Sequence, residues 1–519
     1  MNRIFKNTSS LFFAQLIGRI FSLSLTLLLA TYFRETELGQ YFLATFITNM
    51  IASIAELGMH APLIREITLN LQQARHFIGN ALVIRLFLSI IAFGVMLGTG
   101  HLLGYSPIIL QMILLLGIAE LINLIAQLFR SVFRAFEQVK YEAITIIVER
   151  MLVVFVGGVL IIFGIDLIGF CVIVLIASFL NLVLSLVIVI KKFTSLRFRF
   201  DLAIWGVLMS QALPFALGNI FNLVYFRIDM VMLSKLSPSH VDAEAAVAWY
   251  GLAYTIVNAF TILPGAFMMG AMFPVLARTF EDTRADFASI YTYAFRWMVL
   301  LGVPFAVGMA TLAPDIADTL DWLFATLTER LQTPSLPNDA ENLAEPIQAP
   351  SPPTYAPHIT SVLRLLSVSG GLIFLTTVTL TVLRAADKRV PFTLLMGTTL
   401  LLNVGLNYVV IPGVQIPRTD IQIFGHTGAA VTMVVSEIYL LIASFIYISL
   451  RISKLNRFGF LIRSTFLATV MGVALAHFRD QWPIWGLIPA SILFYFAGLA
   501  ILGEFRRGKM GRRMRGFRQ

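Results

Sequence analysis

The chain has 519 residues, of which 58% are hydrophobic and only 13% are charged, against about 25% charged residues in a soluble domain. This composition excludes an ordinary soluble globular protein. A formal net charge of +10 would suit nucleic acid, but basic residues beside apolar segments orient membrane proteins and face anionic lipid, so we expect no nucleic-acid partner. The single cysteine, Cys171, excludes disulfides and cysteine-ligated metal clusters.

Apolar segments of roughly twenty residues recur along the chain, and each is long enough to cross a ~30 Å hydrocarbon core as a helix. We predict about fourteen of them, which makes the fold class all-α and the protein a polytopic membrane protein. No cleavable signal peptide is expected, because the first segment is too long for one. The predicted spans are 10–33, 40–60, 78–100, 107–129, 143–164, 168–190, 207–234, 247–273, 291–320, 359–383, 391–411, 427–450, 459–477 and 484–503.

Positive charge is sorted onto alternate loops between these spans. Of the 38 Lys and Arg residues, 26 lie on the two termini and on every second loop, five lie on the opposite loops, and seven lie within spans. By the positive-inside rule both termini are cytoplasmic, which requires an even number of spans. The outer loops are short except for 321–358, where seven prolines between Pro334 and Pro357 predict an extended or mobile periplasmic loop.

Two short motifs recur six spans apart on the same predicted side of the membrane. The run Tyr41-Phe-Leu-Ala-Thr-Phe-Ile is echoed from Tyr250, and Arg134-Ala-Phe-Glu-Gln-Val-Lys is echoed from Arg384. Copies on the same side are parallel repeats about an axis normal to the membrane. We therefore predict two six-helix pseudo-symmetric lobes followed by two extra helices and a basic cytoplasmic tail. The predicted domains are 1–200, 201–455 and 456–519.

Three groups of motifs carry a resemblance to a known family. They are Leu38-Gly-Gln-Tyr-Phe-Leu-Ala with Glu56-Leu-Gly-Met-His-Ala-Pro-Leu-Ile-Arg-Glu66, Pro214–Asn219 with Asn222–Asp229, and Asn403-Val-Gly-Leu-Asn407 with Ile411-Pro412 and Gly425-His-Thr-Gly-Ala-Ala430. Over nearly the whole chain the sequence resembles the bacterial oligosaccharide flippases, the Wzx-type polysaccharide exporters. Two features depart from that pattern, the long proline-rich loop and the expanded segment 414–424, and both lie on the predicted outer side.

The resemblance implies a fold, a function and partners. This family belongs with drug/cation antiporters and lipid II flippases in the multidrug/oligosaccharidyl-lipid/polysaccharide exporter superfamily, so a MATE-like fold is expected. The implied function is to move an undecaprenyl-diphosphate-linked oligosaccharide from the cytoplasmic to the periplasmic leaflet of the bacterial inner membrane, by alternating access, for polysaccharide biosynthesis. Membrane lipids, a polysaccharide polymerase, and H⁺ or Na⁺ as coupling ion are the implied partners, and no cofactor is expected.

Seven arginines lie within the predicted spans, where an ionisable residue marks a functional site by default. Arg19 and Arg227 occupy corresponding places in the two repeats, 22 and 23 residues before Tyr41 and Tyr250. A diphosphate in the membrane must be neutralised, and a guanidinium grips phosphate oxygens bidentately, so this pair is the predicted head-group site. The remaining five are Arg85, Arg150, Arg296 and Arg463 near cytoplasmic ends, which either capture the head group or anchor their helices, and Arg364 near an outer end.

Buried acids are the candidates for coupling transport to an ion gradient. Glu120 and Glu437 lie near the middle of their predicted spans, where a carboxyl group can change protonation or bind Na⁺. Asp229 lies two residues beyond Arg227, on the other side of the helix, and should pair with another helix. For each acid a purely structural hydrogen bond is the alternative. Asparagines in the spans either contact sugar or bond between helices.

Signals of an enzyme are absent from the sequence. No phosphate-binding P-loop occurs, which excludes an ATP-driven pump in this chain. The seven histidines show no metal-ligand spacing, so neither catalytic nor metal-binding residues are expected. Three alternatives stay open: a lipid II flippase, a MATE-like drug/cation antiporter of the same fold, and, as an enzyme, a membrane-embedded glycan polymerase.

Overall fold

A computed structural model describes residues 18–193, 201–282, 284–332, 354–415, 422–455 and 459–504. Within these ranges twelve helices are long and apolar enough to cross a membrane, and Ala216–Tyr225 with Ile228–Leu236 forms a further candidate span bent by 42°. The shorter apolar helix Gly18–Tyr32 corresponds to the first predicted span. In the described part of the chain every predicted span therefore has its helix, and the prediction of an all-α polytopic membrane fold is confirmed.

The helices follow one another with short breaks. The first ten are α1 (Gly18–Tyr32), α2 (Glu35–Glu56), α3 (His60–Leu69), α4 (Ala74–Leu102), α5 (Pro107–Ala135), α6 (Val139–Met151), α7 (Gly157–Ile162), α8 (Leu167–Lys192), α9 (Leu202–Tyr225) and α10 (Ile228–Leu236). The next nine are α11 (Ala243–Phe267), α12 (Phe273–Asp282), α13 (Arg284–Thr311), α14 (Ala313–Gln332), α15 (Ala356–Ala385), α16 (Arg389–Val410), α17 (Gly425–Arg451), α18 (Gly459–Phe478) and α19 (Ile484–Ile501). A 3-10 turn (Leu71–Gln73), two π-helical turns (Leu152–Val156 and Met268–Met272) and two paired strands, β1 (Val414–Gln415) and β2 (Gln422–Ile423), complete the described elements.

The region around the proline-rich loop differs from the prediction. The ninth span ends at Thr311 instead of residue 320, and α14 then runs to Gln332. Residues 321–332, predicted to be part of an extended loop, are therefore helical. No proline occurs between Pro314 and Pro334, so nothing interrupts the backbone hydrogen bonds of this helix. Residues 333–353 lie outside the described part of the chain.

The duplicated motif forms the same turn in both repeats. After α5 the chain turns at Glu137, with a φ of 57°, and after α15 it turns at Asp387, with a φ of 51°. The two turns have the same pattern of backbone hydrogen bonds. In the last bond of the first turn Gln138 N–H donates to the Phe133 carbonyl at 2.8 Å, and in the second turn Lys388 N–H donates to the Leu383 carbonyl at 2.9 Å. A left-handed residue at both places is a costly conformation for a side chain other than glycine. Its recurrence 250 positions apart supports the duplication.

The described chain groups into two compact units. The first contains α1 to α10, the beginning of α11, and residues 324–332 and 407–414. Its centre is α5, which packs against α2, α4 and α8. The core at one end of this unit includes Ile78, Leu128, Phe129 and Phe133. The predicted lobe boundaries at residues 200 and 455 rest on the repeat and stay a prediction.

The second unit contains the rest of α11, α12, α13, most of α14, and α15 to α19, apart from the end of α16. Two glycines let α13 and α15 approach closely: a Cβ at Gly371 would lie 2.7 Å from the carbonyl oxygen of Gly302 and 2.6 Å from the Cβ of Ala306. Small residues at such contacts are typical of helices that associate in a membrane. The helix α18 also packs against α13, and it contacts α19.

Replacing Gly371 by valine should therefore destabilise the second unit, since the backbone of α13 has to move away. Overpacking of this kind costs about 1–3 kcal/mol, which should lower both the thermal stability of the purified protein and its amount in the membrane. Gly405→Val on α16 is the matched control, because no atom lies within 4 Å of a Cβ at that glycine. Equal thermal stability of the two variants would contradict the tight α13–α15 contact.

Candidate functional site

Arg227 lies where the seventh predicted span breaks. It is the N-cap residue of α10, between the ends of α9 and α10, and its guanidinium carbon is 5.2 Å from the centroid of the Phe46 ring. A guanidinium over an aromatic face is held by cation–π attraction, which leaves the edge of its fork available to carboxylate or phosphate oxygens. The break therefore presents an arginine inside the membrane-spanning region, as the sequence predicted, in contact with α2.

Glu120 gathers two of the predicted arginines. The carboxylate, on α5, accepts a hydrogen bond from the Asn49 side chain at 3.2 Å, and both Arg150 and Arg227 lie close enough to act on it electrostatically. Arg150 lies two residues before the π-helical turn Leu152–Val156, a distortion that often occurs at functional sites. Three distant segments of the first unit thus bring two arginines and one acid together. We name Glu120, Arg150 and Arg227 the arginine cluster.

Asp229 makes hydrogen bonds to two other helices. It is buried, with 2% exposure; the Tyr250 hydroxyl donates to one carboxylate oxygen at 2.9 Å, and the Asn407 amide donates to the other at 2.6 Å. The sequence predicted a partner on another helix but indicated neither of these residues. The arrangement ties α10 to the start of α11 and the end of α16.

Arg85 lies in the interior of the first unit, not at its surface. Its side chain is 2% exposed, and its Nε and Nη1 atoms have no hydrogen-bond partner among the described residues. Glu56 acts on it electrostatically from the end of α2, just before the turn at Leu57 and Gly58, whose φ angles are 49° and 67°. A buried arginine with unfilled donors next to a strained turn is the kind of group that an anion or water satisfies.

A neighbouring network escaped the sequence reading, which treated His60 as one of several scattered histidines. Arg134 donates to the Nε2 atom of His60 at 2.7 Å, and the other ring nitrogen lies 2.5 Å from the Ser131 hydroxyl. Arginine can only donate, so Nε2 is the acceptor and Nδ1 carries the proton. Arg134 also forms a bidentate ion pair with Glu142, at 2.7 and 2.5 Å. The duplicated motif that begins at Arg134 singled out this arginine in the sequence. It did not indicate which residues the arginine binds.

The structure places Arg296 in an ion pair, together with Arg463. Both arginines bind the Glu504 carboxylate, at 2.5 Å from Arg296 and 2.9 Å from Arg463, and the Glu504 side chain is nearly buried. This contact fixes the chain just after α19 to the middle of α13 and the start of α18. It gives Arg296 an anchoring partner within the second unit.

We expect Glu504→Gln to cost more than Arg296→Gln, because Arg296→Gln leaves Arg463 paired with the buried carboxylate, whereas Glu504→Gln removes both ion pairs. Both variants should lower thermal stability, by about 1–3 kcal/mol. The double variant should cost less than the sum of the two, which a double-mutant cycle measures. If the losses of stability were strictly additive and only Arg296→Gln lost transport, Arg296 would instead be a residue that binds the head group.

Two further predicted residues, Arg19 and Glu437, lie on α1 and α17. Arg19 is exposed. Glu437, on α17, is fully buried in the second unit and accepts a hydrogen bond from the Thr376 hydroxyl at 3.0 Å. Of the asparagines, Asn49 and Asn407 bond between helices, as do Asn123 and Asn181.

The fold is similar to that of several solved structures. The lipid II flippase MurJ in an inward closed conformation matches with a TM-score of 0.69 and 15% identity, over 94% of this chain and 98% of that chain. A multidrug resistance MATE family transporter of the MOP superfamily, inward-facing, matches with a TM-score of 0.64 and 15% identity, over 84% and 94%. A MOP superfamily transporter from Pyrococcus furiosus Vc1 matches with a TM-score of 0.57 and 15% identity, over 86% and 95%.

At these identities the likeness establishes the fold alone. No curated protein sequence matches the chain. The model of one protein family, described as polysaccharide biosynthesis protein, matches residues 4–280, more than half of the chain. That match agrees with the resemblance seen in the motifs around residues 38–66 and 214–229. The chain therefore belongs to the polysaccharide biosynthesis protein family.

Proposed function

We propose that the protein moves an undecaprenyl-diphosphate-linked oligosaccharide from the cytoplasmic to the periplasmic leaflet of the bacterial inner membrane, for polysaccharide biosynthesis. The family and the flippase fold support transport of a lipid-linked glycan. The single observation that carries the proposal is the arginine cluster, since two guanidinium groups in one span region suit a diphosphate and repel a cation. A drug/cation antiporter would need the opposite charge there.

In this mechanism Arg227 and Arg150 bind the diphosphate, and Glu120 competes with it for the same guanidinium groups. When Glu120 is ionised it holds the arginines, and when it is protonated they are available to the phosphate oxygens. The competition links occupation of the site to an H⁺ or Na⁺ gradient. Arg85 and Arg19 serve as further contacts of the head group, on the path to and from the cluster.

The lipid is released by alternating access, in which the outer end of the site opens. In the first unit the predicted outer ends of α2 and α11 are closely packed: a Cβ at Gly39 would overlap the backbone of Glu244, and one at Gly251 would overlap the Phe42 ring. The Gln40 amide donates to the Glu244 carboxylate. Release requires these contacts to separate. Asp229 is the acid whose protonation or Na⁺ binding drives that change, and Glu437 and Glu120 are the alternative coupling acids.

Transport in proteoliposomes tests the proposal directly. We expect the purified protein to move an undecaprenyl-diphosphate-linked oligosaccharide between leaflets. A cationic dye enclosed in the same proteoliposomes should not be transported. Lipid II carries the same diphosphate on the same type of lipid, so faster movement of lipid II than of the oligosaccharide would assign the protein to lipid II transport. Synthesis of longer glycan chains by the protein alone would indicate a polymerase, which we expect as a separate partner.

Both termini should face the cytoplasm and the proline-rich loop the periplasm, because basic residues are concentrated on one set of loops. Cys171, the only cysteine, is buried, so a Cys171→Ala background permits single-cysteine labelling. In intact cells a membrane-impermeant maleimide should label Ala340→Cys but neither Asn2→Cys nor Gln519→Cys. Labelling of the last two only after permeabilisation is the control, and an unlabelled Ala340→Cys would overturn the topology.

A further inference from the structure

Two lysines that are far apart in the sequence converge on one tyrosine ring in the first unit. Lys140, in the first turn of α6, and Lys192, at the end of α8, have their Nζ atoms 5.0 and 4.9 Å from the centroid of the Tyr141 ring. The Lys192 ammonium also donates to the Tyr141 hydroxyl at 2.8 Å. Both lysines are exposed, at the predicted cytoplasmic ends of their spans.

Neither ammonium has a counter-ion within the described part of the chain, where no carboxylate lies within 4 Å of either one. The nearby arginines differ in this respect, since Arg130 pairs with Glu149 and Arg134 pairs with Glu142. Two like charges on one ring repel each other, and a cation–π contact at an exposed site is worth only about 0.5–1 kcal/mol. An anion between the lysines would remove that repulsion.

The ring belongs to an apolar aromatic platform. The Tyr141 ring centroid lies 6.0 Å from that of Phe133 and 5.8 Å from that of Phe193, and Phe193 packs on Phe136 at 5.2 Å. In the described contacts the Tyr141 hydroxyl is an acceptor, which leaves its proton for an anionic oxygen. Aromatic surface below a cationic rim, at a membrane–water boundary, matches a lipid with a charged head and an apolar body.

We propose that Lys140, Lys192 and Tyr141 form a binding site for the phosphodiester head group of an anionic phospholipid. The two ammonium groups neutralise the phosphate, and the Tyr141 hydroxyl donates to one of its oxygens. The acyl chains lie against Phe136 and Phe193, the partly exposed rings of the aromatic platform. Bound there, the lipid joins the ends of α6 and α8. The inference is independent of the proposed transport function, because it concerns a lipid that stays in place.

The test uses the full chain in nanodiscs of phosphatidylcholine, with or without phosphatidylglycerol. Thermal stability and the number of phosphatidylglycerol molecules retained in native mass spectrometry are measured without any transport substrate. We expect phosphatidylglycerol to stabilise the wild type. Its apparent affinity should fall about fivefold in Lys192→Gln and roughly 30-fold in Lys140→Gln/Lys192→Gln, since each surface charge contributes about 1 kcal/mol to lipid binding. Tyr141→Phe should lie between wild type and the double variant.

Lys191→Gln is the matched control: it removes the same charge one residue away, from an exposed side chain that does not contact the ring. Its affinity should stay close to that of the wild type, and all variants should be equally stable in pure phosphatidylcholine. Equal losses in Lys191→Gln and Lys192→Gln would show diffuse attraction and overturn the site. Equal stabilisation by inorganic phosphate in phosphatidylcholine discs would show a free-anion site instead of a lipid site.

Discussion

Replacing Arg227 by alanine should reduce glycan export roughly 10- to 100-fold, while the protein still accumulates in the membrane. A hydrogen bond to a charged group is worth about 1.5–3 kcal/mol, and each 1.4 kcal/mol is tenfold in affinity. Because Arg227 rests on the face of Phe46 and forms no ion pair within 4 Å in the described part of the chain, its removal should leave the helices packed. Export is measured as surface glycan in a strain that lacks its own exporter, beside the amount of protein in the membrane.

Further substitutions test whether the two arginines bind a diphosphate. Lysine at position 227 should restore part of the export, since it keeps the charge but not the bidentate geometry. Arg150→Ala should resemble Arg227→Ala, because both guanidinium groups act at Glu120, and the double variant should lose less than the product of the single losses. The control is Arg364→Ala, which removes an exposed arginine of α15. Normal export by both Arg227→Ala and Arg150→Ala would contradict the proposal that the arginine cluster binds the head group.

Replacing Asp229 by asparagine should abolish the dependence of transport on an ion gradient while the protein stays folded. Asparagine can still accept from the Tyr250 hydroxyl, and a rotation of the Asn407 amide lets the two side-chain amides bond to each other. Asp229→Ala, by contrast, leaves both donors unsatisfied and should destabilise the first unit by about 1–3 kcal/mol for each. Transport into proteoliposomes under an imposed pH or Na⁺ gradient is the measurement.

Glu437→Gln is the matched comparison, since Glu437 is a second buried acid and also accepts a side-chain hydrogen bond. We expect Asp229→Asn to transport at the same rate with and without the gradient, and Glu437→Gln to keep most of the response. The reverse result would make Glu437 the coupling acid. A response retained in both variants would leave Glu120 as the acid that carries the coupling.

Some of the molecule follows from short stretches of sequence. Each span is recognisable because about twenty consecutive residues must be apolar to replace water by hydrocarbon around a helix. The family motifs and the Arg134 and Arg384 repeats are equally local, and the structure shows the same left-handed turn at Glu137 and Asp387. The extension of α14 to Gln332 was missed because prolines further along the loop dominated the pattern.

The partners of the charged residues were decided only by the packing of helices. Asp229 bonds to Asn407, 178 positions away, and Arg296 binds Glu504, 208 positions away. Arg85 and Arg150 look alike in the sequence, yet one is buried and the other exposed. Hydropathy reports how much of a helix faces lipid, whereas the cost of a buried charge depends on which side chain the neighbouring helices bring to it. The sequence alone therefore determined the spans and the family, and the tertiary structure decided which charges meet.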